Sequence, residues 1–252
     1  MKKIKKYIIL IICFVVWIGL LIYFNNKENI KFQRNIPQYV LIDQFHYWKY
    51  VDSEWVNIDS INDFETVEKE INWNEYDVYI NNQYYNTFDY VLMNYEEFYF
   101  DDDIKSHEIT QDKLLLNHDS YLKLKNFSTQ SFFDEDVEIV SNFMNRYNYS
   151  VGDVAVKNKY VIDDDNVIYI LSNYREYSRD DIFYLVFYRR NNRNYLLVNN
   201  DDANNILYYD LFSVLDTKNK YDNIILSYGC EDSVCYDMYE YNKGKYVKVI
   251  GE

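Results

Sequence analysis

The first hydrophobic feature of the chain is also its longest. Tyr7 to Phe24 runs for 18 residues without a charge, behind a start that reads MKKIKK. Such a run is long enough to cross a bilayer as a helix, and it lacks the polar face that a helix in a globular core keeps. No Ala or Ser lies between Lys6 and Asn26, so the small-residue pattern of signal cleavage is missing and the run reads as an uncleaved signal anchor. Lys2, Lys3, Lys5 and Lys6 precede it, against Lys27, Lys31 and Arg34 after it. That bias puts the N-terminus in the cytoplasm and everything from about residue 25 outside.

Beyond a polar stalk at 25–38, the pattern becomes one of short apolar and aromatic runs separated by Asn and Asp. Strands are expected around an Asp52-Ser53 turn in Phe45 to Ile58, and at 76–81, 88–93, 97–100, 114–116 and 121–127, with a short helix at 64–71. Ser131 to Tyr147 changes period. Phe133, Val137, Val140, Met144 and Tyr147 recur at steps of four and three, which predicts an amphipathic helix with a core-facing stripe. Ser131 and Asp134 suit a capping box at its start, and Arg146 suits the negative end of its dipole. From there strands follow at 155–162, 166–172, 182–189, 194–198, 207–215, 223–229, 234–241 and 245–250, spaced as consecutive hairpins. The expected fold is therefore mostly β. It comprises an N-terminal transmembrane helix with its Lys-rich tip (1–24), the stalk (25–38), an antiparallel β-meander (39–128) and a second β-hairpin region (129–252), joined by the one amphipathic helix.

Composition agrees with sheets. The chain has 30 Tyr and 15 Phe, but one Pro and five Gly, and aromatic and β-branched residues favour strands. Trp48 and Trp55, in the first aromatic run, are expected to pack in the core. Charge narrows the partners. Seven of the 26 basic residues and one of the 41 acidic residues lie in the first 34 positions, so the remainder carries 19 against 40, a net charge of −21. Nucleic acid is excluded as a partner by that sign.

Two of the three cysteines, Cys230 and Cys235, sit five apart between strand-like runs; Cys13 is an apolar residue of the membrane run. Zinc needs about four ligands, and His46, His107 and His118 stand singly upstream. The pair reads as a disulfide, which an outside location permits, or as two packed thiols. If Cys230 faces Cys235 across a four-residue loop, Tyr228 faces Asp237, Leu226 faces Tyr239 and Ile224 faces Tyr241, giving the hairpin one largely apolar side.

Two segments of the second half are built alike: KYVIDDDNVIYILSN (Lys159 to Asn173) and LFSVLDTKNKYDNIILSYG (Leu211 to Gly229). Each is an apolar strand, an Asp-containing turn and a second strand. Lys159 to the C-terminus thereby resembles the FG-GAP or VCBS type of extracellular repeat, which implies propeller-blade-like hairpins with a calcium loop before a strand. Asp163, Asp164 and Asp165 are the calcium candidates that the resemblance supplies. The family's D-x-D-x-D-G spacing is compressed in them, and Lys218 and Lys220 replace the carboxylates in the second copy, whereas calcium takes about six to eight oxygens. No other cofactor is expected.

No Gly-x-Ser-x-Gly elbow, no Cys beside a His and no Gly-rich phosphate loop is present. The functional expectation is a single-pass membrane protein, held in the lipid bilayer by residues 7–24. It displays a non-catalytic β-rich binding module toward an envelope glycan or another envelope protein. A hydrolase of envelope polymers using paired carboxylates is the enzymatic alternative, and a structural accessory subunit of a membrane complex is the third.

Overall fold

The computed structural model describes residues 38–42, 46–58, 75–88, 91–93, 98–100, 113–173, 182–200, 208–217, 221–230 and 233–251. The apolar run at 7–24 and the helix expected over 64–71 lie outside the described residues. Among the described residues no helix is long and apolar enough to cross a membrane.

Strands dominate. In chain order they are β1 (Gln38–Leu41), β2 (Tyr47–Val51), β3 (Glu54–Asn57), β4 (Tyr76–Ile80), β5 (Gln83–Phe88), β6 (Val91–Met93), β7 (Phe98–Phe100), β8 (Lys113–Asn117), β9 (Lys123–Lys125) and β10 (Ser128–Gln130). The helix α1 (Asp134–Met144) comes next. It is followed by β11 (Val156–Asp163), β12 (Asn166–Ser172), β13 (Tyr184–Arg190), β14 (Arg193–Asn200), β15 (Tyr209–Asp216), β16 (Asn223–Cys230), β17 (Ser233–Asn242) and β18 (Lys245–Ile250).

Pairing is antiparallel throughout. The first sheet has the order β3-β2-β1-β8-β4-β5, the second β10-β11-β12-β13-β14 and the third β18-β17-β16-β15-β9, while β6 and β7 pair separately. The second and third sheets are thus four-stranded meanders, each with one short strand from earlier in the chain added beside its first member.

The layers follow from which side chains are buried together. The third sheet packs one face on the second sheet, through Val214, Ile224, Leu226 and Tyr239 against Ile168, Ile170, Val186 and Tyr188. Its other face, through Phe212, Leu215, Ile225 and Met238, meets Val40, Trp48, Leu114 and Leu116 of the first sheet. It is covered on both sides, which is why β16 reads as the near-continuous apolar run NIILSYG with every residue buried. Trp48 and Trp55 are buried in the second of these interfaces, at 0% and 8% exposure. α1 covers the far face of the second sheet, with Phe143 against Phe187 at 4.1 Å between ring centroids.

Four hairpins turn on paired residues with left-handed φ: Asp52-Ser53, Asn81-Asn82, Asn191-Asn192 and Lys243-Gly244. Two-residue turns of this hand match the twist of the flanking strands, and Asn, Asp and Gly tolerate the conformation best. The asparagine-rich composition is put to direct use in this way. β1, β5 and β10 were not expected, β1 starting at Gln38 where the stalk was expected to end, and the strand expected at 88–93 is divided: β5 ends at Phe88 and β6 begins at Val91.

Two expectations are corrected in detail. The helix exists, and Val140 and Met144 of the expected stripe are buried, but Phe133 and Val137 are 62% and 41% exposed, and Asp136 and Phe143 take the other inward positions. The start also moves. Phe133 is the cap residue, and its N–H donates to the Asp136 carboxylate at 2.8 Å, so Ser131 plays no such part. The apolar count misled because the buried position in the first turn carries an acid. Asp136 accepts from Lys159 Nζ at 2.8 Å and from the Tyr169 hydroxyl at 2.6 Å, both on the sheet beneath.

The hairpin of β16 and β17 is slipped by two residues from the expected register. Cys230 pairs with Ser233, Tyr228 with Cys235, Leu226 with Asp237 and Ile224 with Tyr239. A slip of two leaves every side chain on its expected face, since the pleat has period two, so the apolar side survives. Cys230 and Cys235 are joined as a disulfide with Cα atoms 5.9 Å apart, on the diagonal of the ladder instead of directly across it. The loop closed is short, so its removal is expected to cost only about 2 kcal/mol. Paired denaturation curves of the oxidised protein and the Cys230→Ser/Cys235→Ser variant test this; a loss above twice that value would mean the bond also holds the core.

Candidate functional site

Among the described residues an opening lies between the three sheets, beside a bulge in β15. Leu211 pairs with Leu226 and Ser213 with Ile225, so Phe212 is an extra residue in the ladder. A bulge re-aims the side chains that follow it. Leu211 and Val214 therefore share one core face while Phe212 and Leu215 share the other. Outside the regular ladder, the Phe212 carbonyl accepts from Asn82 Nδ2 at 2.8 Å, and Ser213 Oγ donates to Asn82 Oδ1 at 2.7 Å. The Asn81-Asn82 turn of the first sheet is thereby fastened to the third.

Against this fastening sits a cleft of about 270 Å³. The first sheet contributes Tyr79 and Asn81, the third contributes Asp210, Phe212 and Ser213, and the second side is lined by Phe127, Thr129 and Tyr160. Phe127 and Tyr160 meet edge to face at 5.7 Å. The Tyr160 hydroxyl donates to Asp210 Oδ1, and burial, reinforced by that carboxylate, pushes its pKa up, so it remains a donor throughout the physiological range. Tyr79 is likewise pushed up to about 12 by burial and by the charges of Asp77 and Tyr84. The cleft thus offers aromatic rings, hydroxyls, amides and a single carboxylate.

The other acidic residues are engaged elsewhere. Asp77, Asp136, Asp222 and Asp237 are the buried carboxylates among the described residues, and none lines the cleft. Each answers to one lysine: Lys123 at 3.7 Å, Lys159 at 2.8 Å, Lys125 at 2.9 Å and Lys248 at 3.3 Å, respectively. These are pairs that compensate buried charge. Burial pushes the Asp237 carboxyl up in spite of Lys248.

Asp77 also holds His118, whose Nδ1 lies 2.7 Å from its Oδ1. That hydrogen bond raises the imidazole pKa. Because the folded value lies above the unfolded one, the bond's contribution is complete below about pH 6.5 and is lost as pH rises through the folded pKa. His118 is half-exposed, so the expected effect is below about 1 kcal/mol. Denaturation midpoints of wild type and His118→Ala are expected to differ in mild acid and to converge in alkali.

Asp163, Asp164 and Asp165 occupy the β11–β12 turn, away from the cleft. Both Asp163 oxygens accept from Asn166 Nδ2, at 2.6 and 2.7 Å, and Oδ1 also accepts from the Asp165 N–H at 3.0 Å. The carboxylate shapes its own turn. Among the described residues no group of three or more His, Cys, Asp or Glu side chains could hold a metal ion.

The cleft residues were not singled out from the sequence. YDVYINNQYYNTF carried a usable signal, since two asparagines between tyrosine-rich alternating runs mark a two-residue hairpin. Asp210 carried none: it is one acid among many, and its position beside Tyr160 depends on sheet packing. No family model matches the chain, and neither a curated protein nor a solved structure matches it significantly.

Proposed function

We propose that the chain is a membrane-anchored, extracytoplasmic binding module that takes a small polar ligand of the cell envelope in the cleft between its three sheets, and that it is not an enzyme. One observation carries the reading: the cleft is lined by aromatic rings, amides and hydroxyls but by one carboxylate. Paired-carboxylate hydrolysis needs two acids about 5–10 Å apart across a ligand, and the buried acids outside the cleft are each committed to a lysine. Aromatic rings beside hydrogen-bonding groups suit a glycan unit, whose C–H face and hydroxyls need both.

The anchor is residues 7–24, with the N-terminus cytoplasmic. The repeat reading of the second half is supported by the two four-stranded meanders β11–β14 and β15–β18, which stack face to face. Calcium at Asp163, Asp164 and Asp165 is not part of this proposal.

Retention of the detergent-solubilised full chain on isolated envelope polymers tests the reading. Thr129→Trp, which fills the cleft from an exposed position, is expected to lower retention at least about tenfold, the loss of roughly 1.4 kcal/mol. Unchanged retention would remove the cleft from the function. Release of soluble fragments from the polymer would overturn the non-catalytic reading. Protease added to intact cells is expected to digest the β-rich body; protection would overturn the orientation.

A further inference from the structure

The cleft's single charge points to a ligand class, a step that rests on the binding reading above. Asp210 has two donors, the Tyr160 hydroxyl and the Leu211 N–H at 2.8 Å, and both serve the same oxygen, Oδ1. The carboxylate is thereby fixed in orientation, while Oδ2 has no partner among the described residues. No Lys, Arg or His side chain is among the residues lining the cleft, so the charge is uncompensated, unlike those of the four buried acids. An anionic ligand would meet this carboxylate with nothing to offset it, inside a chain of net charge −15. A cation is attracted by the same field.

We infer that the cleft takes a protonated amine carried on a hydroxylated ring, the chemistry of an amino sugar with a free amino group. The ammonium meets Asp210 Oδ2 in a charge-assisted hydrogen bond. The rings of Phe127 and Tyr160, set edge to face, supply a surface for the ring's C–H groups and add cation–π attraction to the ammonium. Thr129, Ser227 and Asn81 line the same space, and hydroxyl and amide side chains suit the ligand's hydroxyls. A cleft of about 270 Å³ lies at the small end of ligand pockets, which fits one sugar ring and not a longer unit.

The test uses the full chain in detergent micelles, titrated at neutral pH with glucosamine, N-acetylglucosamine and glucose and followed by calorimetry and saturation-transfer NMR. Glucosamine is expected to bind at least about tenfold more tightly than either neutral sugar, the difference that one charge-assisted contact supplies. Asp210→Asn is expected to abolish that preference with little change in the thermal midpoint, because asparagine keeps an Oδ1 acceptor for the Tyr160 hydroxyl and the Leu211 N–H. Equal binding of all three sugars, blocked by Thr129→Trp, would overturn the amine inference and leave the binding cleft standing. Glucosamine binding indifferent to both substitutions would overturn the assignment to this cleft. Failure of all three sugars to bind overturns the inference, and if Thr129→Trp also leaves envelope retention unchanged, the binding reading falls with it.

Discussion

Asp136→Ala is expected to lower the stability of the fold by about 3–5 kcal/mol, the range for breaking a buried ion pair by removing one partner. The reason lies in what is left behind. Lys159 is 8% exposed, and without the carboxylate its ammonium stays desolvated and unpaired beneath α1. The Tyr169 hydroxyl loses its acceptor and the Phe133 N–H loses its cap in the same step. Removing both charges is a different experiment. Asp136→Leu combined with Lys159→Met is expected to recover most of the loss, since apolar side chains of similar size commonly replace a buried pair at little cost. Urea denaturation of the two variants decides between this account and simple loss of the cap on the Phe133 N–H, which the double variant would not repair.

The same pair sets a pH signature. Burial alone would raise the Asp136 carboxyl, but the hydrogen bonds from Lys159, Tyr169 and the Phe133 N–H outweigh it and hold the pKa below the usual carboxylate range. A depressed folded pKa contributes stability that is complete above the unfolded value of about 3.9 and is lost as pH falls through the folded value. The gap between wild type and Asp136→Ala is therefore expected to be constant near neutrality and to narrow in acid. A gap unchanged down to strong acid would show that the carboxylate is not the source.

Trp48→Ala is expected to cost about 3–5 kcal/mol, the range for emptying a large aromatic site in a core. Trp48 is fully buried where the first sheet packs on the third, and alanine leaves a void that two sheets joined along their whole width cannot close by a local shift. The loss also bears on the cleft. Its architecture depends on the first sheet's Asn82 reaching the third sheet's Phe212 and Ser213. Trp48→Ala is thus expected to weaken ligand retention at temperatures well below its own unfolding midpoint. Near-full stability in thermal denaturation would mean that the first and third sheets do not share a core.

The sequence alone determined the strands of the second half, the two-residue turn at Asp52-Ser53 and the burial of Trp48 and Trp55. These depend on short-range causes: side chains alternate with period two, a turn residue either tolerates left-handed φ or does not, and large aromatic rings leave water wherever a core exists. It also determined the apolar side of the β16–β17 hairpin, because a register error of two residues cannot change faces.

Tertiary structure decided the rest, at positions where a polar residue answers to a partner far along the chain. Asp136 faces inward because Lys159 lies beneath it, 23 residues away, so counting apolar positions misses it. Asp210 meets the Tyr160 hydroxyl because Tyr160, 50 residues earlier, comes from another sheet. Asn82 ties sheets through Ser213, 131 residues on. Local pattern records which residues avoid water; it does not record which polar groups find one another once the sheets have stacked.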